Sequence, residues 1–161
     1  PMLDRDRDLL CHFLAAIAYR TQKAVRGAPA HYPHFEAGHG ARTPTQLIGH
    51  MTSLMGYTET LFLGGSYPHV PEPLPSFAEE LDRFHAMLAR VRDLLRSGAT
   101  PGAFTTEQLL QGTLADTMTH VGQLAMLRRL AEAPVASENF LHADVRADRL
   151  GPDQPPPARP D

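Results

Sequence analysis

Three short signatures constrain this chain more than anything else in it. Thr43-Pro44-Thr45-Gln46, Ser76-Phe77-Ala78-Glu79 and Thr105-Thr106-Glu107-Gln108 each place a hydroxyl residue three positions before Glu or Gln. That is the capping box, in which the two side chains satisfy backbone N–H groups that a helix start leaves unpaired. Pro44 at the first helical position strengthens the first of them. Apolar residues at helical spacing follow each box. Leu47, Met51, Leu54, Met55, Leu61 and Phe62 run to Gly64-Gly65, giving a helix over 44–63. Phe77, Leu81, Phe84, Leu88, Val91 and Leu95 run to Arg96, before the Ser97-Gly98 break. Leu109, Leu110, Leu114, Thr117, Val121, Leu124, Leu127 and Leu130 carry one long helix from 106 to about Ala133, before Pro134. An earlier helix needs no box. Leu10, Phe13, Leu14, Ile17, Ala18 and Val25 recur between Asp4 and Arg26, with Asp4, Asp6 and Asp8 in the turns where carboxylates suit the helix dipole.

The connections then set the architecture. Residues 27–43 mix Gly, Pro and His without a period and read as a mobile loop. Ser66–Pro75 carries Pro68, Pro71, Pro73 and Pro75. An extended proline-rich segment of this kind covers roughly 30 Å at ~3.1 Å per residue, the length of a 20-residue helix. It can therefore run the whole bundle and leave helices two and three parallel. Four long helices without any strand pattern predict an all-α four-helix bundle over residues 1–134, with a long connection between helices two and three. Residues 135–150 are expected to form a C-terminal extension on or near the bundle, and 151–161 a proline-rich disordered tail.

Composition removes several classes of function. The net charge is -3 with no basic block, so no nucleic-acid or anionic-membrane surface is indicated. Of the basic residues only Lys23 is a lysine. Cys11 is the lone cysteine, which excludes an intrachain disulfide and suits a reducing compartment. No apolar run reaches membrane-spanning length, and Pro1–Asp8 is charged rather than signal-like, so the expected location is the cytoplasm.

One pattern carries chemistry. Asp116 and His120 stand four residues apart beside the apolar stripe of the last helix, hence on one face and one turn apart. His50 sits two turns into helix two, with Leu47, Leu54 and Tyr57 as face neighbours. Metal sites in bundles are built from inward side chains on facing helices, so the three can form a two-imidazole, one-carboxylate set with open positions. Such a set suits Zn²⁺ first, with Fe²⁺, Ni²⁺ or Mn²⁺ as alternatives. Spacing alone leaves two other readings open: a plain Asp116–His120 ion pair, or a metal-free proton-transfer pair. Tyr57 and Gln123 are candidate substrate contacts. His31-Tyr-Pro-His34 with His39 resembles a small metal motif, but in a Gly/Pro loop without sulfur ligands it is read as a loop. His12, His85 and His142 are weaker candidates for a further ligand, and Arg128 and Arg129 for an anion anchor or for helix-dipole partners.

The string Thr119-His-Val-Gly-Gln-Leu-Ala-Met-Leu-Arg-Arg-Leu130, together with Leu47-Ile-Gly-His50, resembles the DinB/YfiT-like metalloenzyme family over most of the chain. The resemblance implies a divalent metal held by His50, by the residue at 116 and by His120. The second position is more usually histidine in that family, and here it is Asp116. It also implies hydrolysis, or transfer of a small thiol such as bacillithiol or mycothiol. Two functions are thus expected in competition. One is a metal-dependent hydrolase or thiol transferase acting on a small molecule. The other is a non-catalytic, stress-linked bundle with a degenerate metal site, serving as a dimerisation or ligand-binding module. Met118, Val121 and Met126 lie off the Asp116–His120 face, so a second apolar face, and with it a homodimer, is expected.

Overall fold

The helix starts lie where the capping residues put them. Thr43 Oγ1 accepts from the Gln46 N–H at 3.2 Å while Gln46 Oε1 takes the Thr43 N–H at 2.9 Å, and Thr105 and Gln108 repeat the exchange at 3.1 and 2.9 Å. At Ser76 only the forward bond forms, from the Glu79 N–H at 3.1 Å. A computed structural model describes residues 2–158. It contains α1 (Asp4–Val25), α2 (Pro44–Leu63), α3 (Phe77–Arg96) and a fourth rod in three parts. These are α4 (Thr106–Leu109), a π turn (Leu110–Leu114) and α5 (Ala115–Leu130). Among the described residues there is no strand, so the chain is all-helical. Nor, among the described residues, is any helix long and apolar enough to cross a membrane.

Paired contacts fix the directions. Glu59 of α2 meets Arg90 of α3 at 2.5 Å, and Gln46 and Glu80, near the starts of the same two helices, line one groove; α2 and α3 are therefore parallel. The Thr58 and Thr113 hydroxyls bond at 2.6 Å while His50 meets His120, so α5 runs against α2. Gln22 of α1 reaches His85 of α3 and Arg7 reaches Leu95, an antiparallel pair. Leu14 and Ile17, Ile48 and Met51, Phe84 and Leu88, and Leu124 are fully buried between these helices, each contributing about 1.5–3 kcal/mol of apolar transfer.

The proline-rich connector makes the parallel pair possible by running back along α2. Its Tyr67 ring lies on Gly56, where an added Cβ would stand 2.3 Å from the ring. Further on, Ser53 Oγ donates to the Pro68 carbonyl at 2.9 Å, and Glu80 Oε1 accepts from the Leu74 N–H at 2.8 Å. Arg83 closes the end, donating to the Glu72 carbonyl at 2.8 Å and to Glu80 at 2.7 Å.

Three features depart from the sequence expectation. The fourth helix is not continuous: Gly112 takes φ −86°, ψ −111° inside the π turn, so the rod kinks just before Asp116. The 27–43 loop is anchored: Tyr32 is fully buried, donates its hydroxyl to the Leu124 carbonyl at 2.8 Å and packs edge-on against Phe77. Gly151 to Pro155 is not free either, because Arg26 donates to the carbonyls of Gln154 at 2.6 Å and Pro155 at 3.2 Å, and the Gln154 side chain folds back on Arg149 and Gly151. The remainder of the expected tail, 159–161, lies outside the described residues. Of the residues expected to form a second apolar face, Val121 is buried and Met118 packs against the core, leaving Met126 exposed.

Arginines close the helix ends. Arg128, almost fully buried, donates to the carbonyls of Ala24, Arg26 and Ala133, at the C-terminal ends of α1 and α5. Arg7 does the same for α3, reaching Leu95, Gly98 and Ala99. These carbonyls are the acceptors a helix leaves unpaired at its C-terminal end. The chain after α5 crosses α1, where Glu138 accepts from the Tyr19 hydroxyl, and reaches α3 through Arg92 to the Ala147 carbonyl and His85 Nδ1 to the Leu150 carbonyl.

Two outcomes follow from this packing. Burial holds the His85 pKa down at about 4. Folded His85 therefore binds fewer protons than unfolded His85, and stability present above pH 6.5 is lost as pH falls toward 4, by up to about 3 kcal/mol. Urea titrations across that window should show a steeper loss in the wild type than in His85→Gln; equal slopes would remove His85 as the cause. Gly56→Ala should displace Tyr67 and cost about 1–3 kcal/mol; an unchanged unfolding midpoint would show that Tyr67 does not hold the connector.

Candidate metal centre

The π turn ends at Leu114, so α5 starts at Ala115 and Asp116 falls in its first turn with His120 directly below. The Asp116 Oδ1 to His120 Nε2 distance is 3.2 Å. From α2, running the other way, the His50 ring meets His120 edge to face with centroids 4.7 Å apart. Ligand atoms of His50, Asp116 and His120 all lie within 4.8 Å of one another, and among the described residues no other group of three metal-capable side chains converges in this way. The structure brings together the three residues that the spacing singled out. Burial is graded: His120 is 7% exposed, His50 half-buried, and Asp116 open to solvent, which leaves one side of the cluster accessible.

Proton placement decides what this cluster can do. Gln123 Oε1 lies 2.7 Å from His120 Nδ1 and accepts its proton. The neutral ring then presents a bare Nε2 lone pair to the Asp116 carboxylate. Two acceptors 3.2 Å apart need a cation between them: either a proton, which makes the imidazolium ion pair, or a metal. Metal-bound histidines characteristically give their other N–H to such a partner, which fixes ring and tautomer. His50 is held below its ordinary pKa by burial first, then by the Arg42 and His120 charges, with His69 adding a little and Asp116 opposing. It is thus neutral at neutral pH, the state in which imidazole ligates. Two nitrogens and one carboxylate oxygen suit zinc or another first-row divalent ion, and ligands about 2.1 Å from such an ion stand roughly 3–3.5 Å apart, as His120 and Asp116 already do.

Around the cluster, Tyr57 is exposed and shares an open groove with Gly112, Thr113, Asp116 and Thr119. Gln123 serves His120 rather than standing free. His69 was missed by sequence reasoning. Its ring lies 6.0 Å from that of His50, and with Arg42 it lines a cleft of about 320 Å³ beside His50. The other histidines are elsewhere. His31 bonds the Ala131 carbonyl at the end of α5, His85 is locked between Gln22 and Leu150, and His12, His34, His39 and His142 are exposed. Arg128 serves helix ends, not an anion. Cys11 is buried, and burial raises its thiol pKa, so it is no nucleophile.

The chain matches no family model, no curated protein and no solved structure with which it was compared.

Gln123→Leu removes the acceptor that sets the His120 tautomer. Nitrogen-15 NMR of metal-free protein above pH 8 should show Nδ1–H at His120 in the wild type and a mixture in the variant; an identical spectrum would free Gln123 of that role.

Proposed function

We propose that this chain is a metal-dependent enzyme of the DinB-like kind, a hydrolase or a small-thiol transferase acting on a small molecule. The observation that carries the reading is the convergence of His50, Asp116 and His120 from two antiparallel helices. His50, Asp116 and His120 would hold a divalent ion, which would supply the Lewis acidity needed to acidify water or a thiol at neutral pH. His50 and His120 supply neutral nitrogen donors, Gln123 orients the second, and Asp116 supplies charge on the solvent side. The groove past Tyr57 and the cleft past Arg42 and His69 are the two approaches for a substrate. Zinc fits the donor set best, with nickel, iron and manganese behind it.

A second reading has one specific observation in its favour. The Asp116–His120 pair is complete at 3.2 Å with only a proton between its atoms, as a degenerate site would be. On that reading the chain is a non-catalytic bundle, and exposed Met126 and Leu130 on α5 are where a second copy would dock. Metal analysis of untagged protein decides between the two. The wild type should retain close to one equivalent of divalent metal, and His50→Ala and His120→Ala should lose it. Less than about a tenth of an equivalent, unchanged in both variants, would leave the ion-pair reading standing.

A further inference from the structure

The proline-rich connector brings a third imidazole to the edge of the metal cluster. Ser53, three residues beyond His50 and on the same face of α2, donates to the Pro68 carbonyl at 2.9 Å. Tyr67 is seated on Gly56 and Pro71 is buried, so the backbone is anchored on both sides of His69. The His69 side chain itself is exposed, and its ring centroid lies 6.0 Å from that of His50 along one cleft. Among the described residues neither ring makes a hydrogen bond or an ion pair, which leaves a nitrogen lone pair free on each.

Three donors on zinc leave a position for water or substrate, and a fourth fills it. Imidazoles that share one tetrahedral ion, each nitrogen ~2.1 Å from it, stand with ring centroids about 5 Å apart. The His50–His120 and His50–His69 spacings, 4.7 and 6.0 Å, lie on either side of that value. His69 is outside the trio whose ligand atoms already lie within 4.8 Å of one another, so it joins by a change of rotamer. Its exposure leaves the ring free to make that turn. His50, Asp116 and His120 are held by helices, whereas His69 swings from an irregular segment, so it is the donor able to leave again.

We propose that His69 is a fourth, exchangeable ligand of this metal centre. It fills the position that His50, Asp116 and His120 leave open and yields it to a substrate thiolate, which is charged and soft where imidazole is neutral. The inference rests on the metal reading and adds a cap to it: the connector closes the centre until a ligand for the ion displaces the ring.

Cadmium-113 bound to protein labelled with nitrogen-15 histidine tests this, because scalar coupling between the two nuclei appears only where a ring nitrogen ligates the ion. The wild type should show coupling to His50, His69 and His120. A small excess of 2-mercaptoethanol should abolish the His69 coupling and leave the other two. His69→Ala, at an exposed position where folding is safe, should keep two couplings and bind zinc at least about tenfold more weakly in competition with a chelating dye. Couplings to His50 and His120 alone in the wild type, or unchanged zinc affinity in His69→Ala, would overturn the fourth ligand and leave the metal reading intact. A His69 coupling that persists beside bound thiol would overturn the exchange. Failure of the wild type to bind cadmium or zinc at all would remove the metal reading, and this proposal with it.

Discussion

Everything in this bundle depends on the seating of the connector along α2. Two parallel helices joined in sequence need a strand of chain as long as themselves, and that strand must bury its backbone somewhere. Here it lies against the missing side chain of Gly56, with Tyr67 filling the space, and its carbonyls and N–H groups are met by Ser53, Arg83 and Glu80. Because α2 and α3 run the same way, α5 can lie antiparallel to α2, which sets His50 opposite His120. The connector also carries His69 and Pro71 to the edge of the cluster, so one segment sets the topology and walls the site.

The scarcity of lysine also finds a physical reading. Arg7, Arg26, Arg83, Arg92 and Arg128 each donate to main-chain carbonyls, and Arg7 and Arg128 reach three apiece. A guanidinium offers donors in a fixed planar fork and can bridge several acceptors without losing its charge, which an ammonium on a flexible stem does poorly. These five arginines are thus fastening helix ends and loops.

Local chemistry was legible in the sequence, and long-range contact was not. Thr43 with Gln46 and Thr105 with Gln108 mark helix starts because a cap needs only residues three apart. Asp116 and His120 were legible for the same reason, one turn apart on one face. His50 was found because it sits on a periodic helix whose facing partner could be guessed. The kink at Gly112 escaped because the apolar run on either side of it keeps its helical spacing. His69 escaped because a proline segment has no period to place it, and Tyr32 because one buried aromatic in a Gly/Pro loop has no neighbours in sequence to announce its burial. The acceptor face of Glu138 depends on a tyrosine well over a hundred residues away, and nothing local signals that pairing.

The order of the helices bears on when the cluster comes into being. His50 belongs to a unit of α2, connector and α3 whose fastenings are close in sequence, such as Ser53 with Pro68 and Leu74 with Glu80, 15 and 6 residues apart. Asp116 and His120 arrive with α5, which is tied to α1 by Arg128 across separations of 104 and 102 residues. Closing loops of that size costs entropy before any contact repays it, so such pairings form late in folding. The three side chains meet only where α5 packs against α2, and a partly folded molecule without that contact cannot offer a cation all three.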